Sequence, residues 1–118
     1  MRARRGAPDR GDVVWLRFNP QAGHEQAGQR PALVVSPVAY NRRVGLALFC
    51  PITSQVKGYP FEVALPASLG VEGVVLSDQV KSLDWRARRA EFACRLPKPT
   101  TLEVLQKLAT LVAPLAGA

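Results

Sequence analysis

The sequence predicts a mostly β protein, a compact antiparallel barrel or curled sheet with one helix at the C-terminus. Short segments rich in branched and aromatic residues are separated by Gly, Pro or Asn, as in all-β domains. Near the end of the chain, apolar residues recur instead at helical spacing. With 118 residues and 47% hydrophobic content, the chain has the size and composition of one globular domain.

The predicted strands follow one another at short intervals. Their segments are 13–18, 31–36, 45–53, 60–65, 73–78 and 88–96. Between the second and the third of these segments, the sequence VAYN is expected to form one helical turn. Short strands at this spacing favour neighbouring antiparallel pairs.

The C-terminal helix is predicted from the sequence KPTTLEVLQKLATLV. Thr100, followed three residues later by Glu103, resembles a capping box at the start of a helix. Pro114 then ends the pattern. We expect the helix to pack its apolar face on the barrel through Leu102, Leu105, Leu108, Ala109 and Val112.

The charge distribution suggests a domain division and a class of partner. Residues 1–10 hold four Arg and one Asp, and we expect them to form a flexible basic arm before a single domain over 11–118. The whole chain carries a net charge of +7, which favours polyanionic partners, most often nucleic acid. The alternative is a basic protein whose charge serves only solubility.

The sequence also bears on location and metal chemistry. No apolar run reaches the ~18 residues of a membrane span, and no apolar segment follows the basic N-terminus, so we expect a cytoplasmic protein. Cys50 and Cys94 lie in apolar runs. Two cysteines and one histidine are too few for a four-ligand zinc site, so we predict neither a structural metal nor a disulfide.

The polar segment HEQAGQRP, residues 24–31, is the first candidate for chemistry. Glu25 offers a carboxylate that can act as a general base, and Arg30 is a permanent cation that binds phosphate. Together they suit attack of a ribose 2′-hydroxyl on the adjacent phosphate of RNA, which needs no metal. The alternative is a surface ion pair in a turn, with His24 as a solvated side chain.

Two further segments supply groups typical of single-stranded RNA binding. PITSQVKGYP, residues 51–60, contains Ser54, Gln55 and Lys57, and SDQVKSLDWRAR, residues 77–88, contains cationic, amide and aromatic side chains. Cations follow phosphates, whereas amides read base edges and aromatic rings stack on bases. Each segment alone could equally be an ordinary polar loop.

These motifs together resemble the MazF/PemK family of toxin endoribonucleases. The pattern G-D-x-x-W followed by P-x-x-G-x-E-Q-x-G-x-R-P spans Gly11 to Pro31, and the two later segments also match. The resemblance implies a small SH3-like antiparallel barrel with a C-terminal helix, acting as a homodimer. It implies sequence-specific, metal-independent cleavage of single-stranded RNA, above all mRNA, which arrests growth without a cofactor. The products would be 2′,3′-cyclic phosphate and 5′-hydroxyl ends, and the partner an antitoxin with an acidic, disordered segment.

The resemblance assigns roles position by position. Glu25 matches the family's acid and is expected to be the general base, while Arg30 would stabilise the transition state. Thr53 would position the scissile phosphate. Substrate contacts are expected from His24, Gln26, Ser54, Gln55, Lys57, Asp78, Gln79 and Arg86.

The identity of the base stays open within the family. His24 matches the PemK-like branch, which uses an arginine and, two residues later, an aspartate in its fifth-strand region. Asp78 matches that aspartate, but Leu76 occupies the position of the arginine. The segments SQVKGYPFEV and DQVKS match the MazF-like branch. Glu25, Asp78 and His24 therefore all remain candidates.

Two other classes of function stay as alternatives. The same barrel could act as a non-catalytic toxin that binds a protein target such as DNA gyrase, or as an RNA-binding module without catalysis. Intact residues at positions 25, 30 and 53 argue against the protein-binding toxin, which has no use for them, whereas an RNA-binding module would bind RNA with strong salt dependence and leave it whole.

Overall fold

A computed structural model describes residues 6–17 and 28–114 and shows seven strands and two helices in these ranges. Neither of these helices is long and apolar enough to cross a membrane. The elements are β1 Asp12–Arg17, β2 Gln29–Val34, α1 Val38–Val44, β3 Leu46–Thr53, β4 Glu62–Ala64, β5 Val74–Leu76, β6 Lys81–Asp84, β7 Glu91–Arg95 and α2 Lys98–Val112.

The strands form one curled antiparallel sheet, which confirms the predicted fold class. Its order is β4-β5-β3-β2-β1-β7, and β6 pairs additionally with β3. The central strand β3 pairs with β2 through its middle, with β6 through its first half and with β5 through its last two residues. Because β3 changes partner along its length, the sheet curls there.

The sheet is buried on both faces. Leu33 packs in one core cluster together with Val104 of α2, whereas its neighbour Val34 packs in a second cluster with Phe49 and Trp85. Successive strand residues point to opposite faces, so a sheet covered on both sides needs nearly continuous apolar runs. This explains why the strand segments of the sequence are apolar throughout and do not alternate with polar residues.

Strand β6 is absent from the sequence prediction, which treated this region as a polar loop. Its residues Lys81–Asp84 are mostly exposed, and no periodic apolar pattern marks them. The strand exists because its backbone pairs with β3, from Leu46 opposite Asp84 to Phe49 opposite Lys81. Such pairing depends on a partner distant in sequence, and local composition does not reveal it.

Helix α1 is longer than the single turn expected from VAYN. It continues through Val44, and Gly45 ends it with a left-handed backbone at φ 82°, its amide donating to the Asn41 carbonyl at 3.0 Å. Asn41 is fully buried, and its side-chain amide donates to the carbonyls of Pro8 and Ser36. These bonds fix α1 against the N-terminal segment.

Helix α2 confirms the predicted C-terminal helix, but the capping box is wrong. The helix begins at Lys98 after Pro97, two residues before Thr100, and no side chain caps it. Pro99 lies in the first turn of the helix. Proline has no backbone N–H, but N–H groups in the first turn make no intrahelical hydrogen bond, so none is lost.

The predicted core face of α2 is only partly correct. Leu105 and Leu108 pack against the core as expected, next to the buried residues Thr101 and Val104. Leu102 and Val112, however, are 53% and 70% exposed, and Ala109 is also exposed. Helical spacing allows more than one apolar stripe, and contact with the sheet selects the stripe that contains Val104.

Residues 6–10, the described part of the predicted N-terminal arm 1–10, are attached to the barrel. Ala7 is buried, and the Pro8 carbonyl accepts a bond from Asn41. The Arg10 Nε atom donates to the Val35 carbonyl at 2.7 Å, and the Asp9 carboxylate accepts the Val38 amide at 3.0 Å. Residues 1–5 lie outside the described residues.

Both cysteines have free thiols. Cys50 is completely buried on β3, and burial, together with the nearby Asp78 carboxylate, raises its pKa to about 12. Cys94 is half-buried on β7, and burial and the charge of Asp12 raise the pKa of its thiol. Because the thiolate is the reactive form, both side chains behave as small apolar groups at neutral pH.

Candidate active site

The pairing of β2 with β3 brings Arg30 and Thr53 to the same cleft. The register runs from Val34 opposite Phe49 to Ala32 opposite Pro51. Arg30 lies two residues before Ala32 and Thr53 two residues after Pro51, and both side chains line the cleft. A cation and a hydroxyl that are distant in sequence are therefore neighbours in space.

Arg30 and Thr53 open into a cleft of about 520 Å³ at this edge of the sheet. Ser54 and Gln55 continue its wall after the end of β3. Trp15 of β1 and the segment from Gly70 to Glu72 also line it. The cleft thus combines a cation, hydroxyls, an amide and an aromatic ring.

The Thr53 side chain is held at the mouth of the cleft. Its Oγ1 atom accepts the Gln55 amide at 3.1 Å, which bends the chain immediately after β3. A hydroxyl that accepts this bond keeps its own proton for donation to another acceptor. An oxygen of a phosphate bound between Arg30 and Thr53 would be such an acceptor.

Gly73 lies against the backbone of Thr53. Its φ is 119°, and a Cβ atom built on it would lie 2.1 Å from the Thr53 carbonyl oxygen. Only glycine fits this approach, because any side chain would displace the end of β3. The segment after Gly73 becomes β5, which pairs with Thr53 through Val74.

A second, smaller cavity of about 120 Å³ adjoins the cleft. Thr53 and Gln55 line both of them. Lys57, Tyr59 and Gln79 are among the other residues of the smaller cavity. One continuous polar surface therefore runs from Arg30, across the end of β3, to Tyr59.

Charged side chains fix the loop that carries Lys57 and Tyr59. The Glu62 carboxylate accepts the amides of Lys57 at 2.9 Å and of Gly58 at 2.8 Å. From α2, the Lys107 ammonium donates to the Pro60 carbonyl and, at 3.3 Å, to the Glu62 carbonyl. The loop is thus bound to both β4 and α2.

Tyr59 is joined to Asp78, which follows β5. The Tyr59 hydroxyl donates to the Asp78 carboxylate at 2.8 Å. This hydrogen bond raises the pKa of Tyr59, and partial desolvation and the Asp78 charge add to the effect. The phenol therefore stays protonated and keeps donating to Asp78 at neutral pH.

The structure brings most of the described candidate residues together. Arg30, Thr53, Ser54 and Gln55 line the cleft, and Lys57 and Gln79 line the second cavity, beside which Asp78 holds Tyr59. The predictions for His24, Glu25 and Gln26 concern residues outside the described ranges.

Arg86 does not join this group. It follows β6, and its guanidinium lies over the Trp85 ring, 4.8 Å from the ring centroid. Strand β6 pairs with the first half of β3, where Leu46 lies opposite Asp84. Leu46 is seven positions before Thr53, which is about 23 Å of extended chain. The proximity of Arg86 in sequence to Asp78 and Gln79 suggested a shared site, but β6 runs away from the cleft.

Sequence reasoning assigned no role to three residues that the structure places at the site. Trp15 and Glu72 line the cleft, and Tyr59 lines the second cavity. Trp15 belongs to the G-D-x-x-W pattern and Tyr59 to KGYP, so both stood within recognised motifs. Glu72 carries no sequence signal, because only the fold of its loop brings it to the cleft.

The chemistry of the cleft suits a phosphodiester. A guanidinium offers paired donors to phosphate oxygens, and the hydroxyls of Thr53 and Ser54 add single donors. Within residues 6–17 and 28–114, no group of three or more His, Cys, Asp or Glu side chains is placed to hold a metal ion. The donors present bind an anion through nitrogen and oxygen hydrogen bonds.

A family model and a known relative both match this chain, and both describe the same class of toxin. A family model described as PemK-like, MazF-like toxin of type II toxin-antitoxin system matches residues 9–112. The endoribonuclease toxin MazF of Escherichia coli strain K12 is 55% identical over 86 residues, which cover 73% of this chain and 77% of that protein.

Solved structures extend the similarity to the fold. The crystal structure of MazF (Form-I) from Deinococcus radiodurans matches with a TM-score of 0.83 at 58% identity, over 93% of this chain and all of that one. A chain in the MazE-MazF (Form-II) structure from the same organism matches with a TM-score of 0.84 at 51% identity, over 94% of this chain and 100% of its own length.

Proposed function

The chain belongs to the PemK-like, MazF-like toxins of type II toxin-antitoxin systems, and we propose that it acts as an endoribonuclease on single-stranded RNA. The observation that carries the proposal is that Arg30 and Thr53 line the same open polar cleft. A protein that only bound a protein target such as gyrase would have no use for this pair. The cellular substrate would be mRNA, cut at a short sequence, with inhibition of translation and growth as the outcome.

In the proposed mechanism, the RNA supplies its own nucleophile. Glu25 takes the proton of a ribose 2′-hydroxyl, and the 2′ oxygen bonds to the adjacent phosphorus. Arg30 and the Thr53 hydroxyl stabilise the charge that builds on the phosphate oxygens. The bond to the 5′ oxygen then breaks, and this oxygen takes up a proton, for which Arg30 is our candidate donor. The products are a 2′,3′-cyclic phosphate and a 5′-hydroxyl, and no metal or cofactor enters.

Contacts to the flanking nucleotides come from both cavities. Ser54 and Gln55 would bind near the scissile phosphate, and Lys57 and Gln79 one nucleotide away. His24 and Gln26 flank the proposed base in sequence and would add phosphate contacts or carry a proton. Arg86 would contact only an RNA segment far from the cut, since β6 carries it away from the cleft.

We also propose an antitoxin partner, a homodimer and a cytoplasmic location. One of the similar solved structures is a MazE-MazF structure, which supports the antitoxin partner. The net charge of +7 suits an acidic antitoxin segment. Leu102, Leu111 and Val112 of α2 expose apolar surface, which a second copy of the chain would cover.

The decisive test is cleavage of a mixed RNA in EDTA, followed by sequencing of the 5′ ends of the fragments. We expect cuts at one short sequence and 5′-hydroxyl ends. Arg30→Ala should lower kcat/KM by about 10²-fold or more, because the developing charge loses its cation. Arg43→Ala is the matched control, since Arg43 is an exposed arginine of α1, at the opposite end of β3 from Thr53.

Three results would contradict the proposal. Intact RNA after treatment with folded wild-type protein, combined with inhibited topoisomerase activity, would favour a gyrase-binding toxin. Salt-sensitive RNA binding without cleavage would favour a binding module. Full activity of both Arg30→Ala and Glu25→Ala would refute the assigned residues while leaving the activity itself in place.

A further inference from the structure

We propose that the cavity beside Tyr59 is a base-specificity subsite, in which Tyr59 stacks on the base of a nucleotide next to the scissile phosphate. Gln55 and Gln79 would read the edge of that base, and Asp78 would position Tyr59. The proposal rests on the proposed function, because it concerns the recognition of the same RNA. It adds Tyr59 to the site and gives Asp78 a positioning role in place of proton transfer.

The position of the cavity sets which nucleotide it can receive. Thr53 and Gln55 line both this cavity and the cleft of Arg30. A phosphate held at Arg30 and Thr53 therefore has the cavity within one nucleotide along the strand. Lys57 lines this cavity but not the cleft, and it would meet the next phosphate of the backbone.

The residues of the cavity match the chemistry of base recognition. Each glutamine amide carries both a donor and an acceptor, so two of them can distinguish the hydrogen-bonding edges of different bases. A tyrosine ring supplies a stacking surface for any base. Lys57 adds a cation to the cavity. Glu62 also lines it, and its carboxylate accepts hydrogen bonds from the backbone amides of Lys57 and Gly58.

The Tyr59 ring is fixed before RNA binds, which makes it a defined surface. Its hydroxyl donates to Asp78 at 2.8 Å at one end of the side chain. At the backbone end, the Glu62 carboxylate and the Lys107 ammonium hold the loop. A ring that is already ordered loses little conformational entropy on stacking, so more of the stacking energy appears as affinity for the base that Gln55 and Gln79 read.

The same contact argues against Asp78 as the general base. The Asp78 carboxylate accepts a hydrogen bond from the Tyr59 hydroxyl, and Asp78 does not line the cleft that contains Arg30. A general base must reach the proton of the reacting 2′-hydroxyl. Asp78 instead sets the orientation of the ring beside the neighbouring nucleotide.

The test is Tyr59→Ala, assayed on RNAs that carry each of the four bases at every position next to the cut. We expect kcat/KM on the preferred RNA to fall by about 5- to 150-fold, the effect of losing one stacked base. Because the ring holds the base against Gln55 and Gln79, which read its edge, discrimination should collapse at a single position and persist at the others. Tyr59→Phe, which keeps the ring and loses the bond to Asp78, should retain part of this discrimination.

Tyr40→Ala is the matched control, because Tyr40 is the other tyrosine and lies exposed on α1. It should cut with wild-type rate and selectivity. If Tyr59→Ala fails to fold, Tyr59→Leu keeps the bulk without the aromatic face and takes its place. Asp78→Asn should weaken the same discrimination and leave the acidic limb of the pH–rate profile where it is.

An unchanged selectivity profile in a folded Tyr59 variant would overturn the subsite. So would a loss of kcat/KM that is equal for all RNAs. Loss of the acidic limb in Asp78→Asn would restore Asp78 as the base. A wild-type protein that cuts no RNA would instead refute the proposed function, so the two failures are distinguishable.

Discussion

At the scale of the residue, the site depends on how the end of β3 is held. Thr53 accepts the Gln55 amide through its hydroxyl, and its carbonyl lies against Gly73. These contacts fix the hydroxyl that we propose as a phosphate donor. A displacement of about 1 Å at such a position is enough to lower a rate by orders of magnitude.

Gly73→Ala tests this dependence. The new Cβ would meet the Thr53 carbonyl oxygen at 2.1 Å, so we expect the end of β3 to shift and kcat/KM to fall about tenfold or more. Gly45→Ala is the control, because Gly45 also has a positive φ, 82°, but nothing lies within 4 Å of the added carbon.

Gly45→Ala should lose about 1 kcal/mol of unfolding free energy from backbone strain, and Gly73→Ala should lose more because its Cβ also clashes with the Thr53 backbone, measured by denaturant titration. Only Gly73→Ala should also lose cleavage activity. Equal activity of the two variants would mean that the contact between Gly73 and Thr53 has no part in catalysis.

At the scale of the element, the loop between β3 and β4 is the structure that joins substrate residues to the helix. Lys107 of α2 donates to carbonyls at Pro60 and Glu62, and Glu62 in turn accepts the amides of Lys57 and Gly58. The loop is therefore ordered by ionic hydrogen bonds, which are the stronger kind.

Lys107→Met should loosen this loop and leave the rest of the fold intact. We expect the amides of Lys57 and Gly58 to exchange hydrogen about tenfold faster or more, since the loop loses a charged donor. Lys98→Met, at the exposed start of α2, is the matched control. Unchanged exchange in Lys107→Met would show that β4 alone orders the loop.

Element prediction from the sequence succeeded where the signal was local. The apolar segments around Val14, Leu33 and Phe49 became β1, β2 and β3, and the helical repeat became α2. It failed for β6 and for the exposed Leu102, because both depend on a contact with another element, and for the capping box at Thr100, because the helix begins earlier, at Lys98.

At the scale of the whole molecule, the two-sided core governs stability. Cys50 lies at the centre of one cluster, and its pKa is raised from 9.0 to about 12 by burial, with a further contribution from Asp78. Above pH 9 the thiol ionises in the unfolded chain but not in the folded one. The free energy of unfolding should therefore be unaffected by this group below pH 9 and should fall between pH 9 and 12.

Cys50→Ala removes this titration. Between pH 8 and 10.5, the wild type should lose about 2 kcal/mol more unfolding free energy than the variant does, measured by urea denaturation at each pH. Cys94→Ala should show a smaller difference, because Cys94 is only half-buried. Identical slopes for the wild type and Cys50→Ala would mean that the buried thiol ionises without unfolding.

The sequence by itself determined the fold class, most of the strands, the C-terminal helix and the family. It also indicated Arg30 as a phosphate-binding cation, and the family pattern added the role of Thr53. These properties are encoded locally, in residue types and periodicities that extend over a few residues.

The tertiary structure decided which residues meet. The pairing of β2 with β3 brings Arg30 and Thr53 to one cleft, β6 takes Arg86 away, and the loop bound by Lys107 sets Tyr59 beside Asp78. Strand register and helix facing follow from the total free energy of packing among segments far apart in the chain, and no local pattern contains that sum.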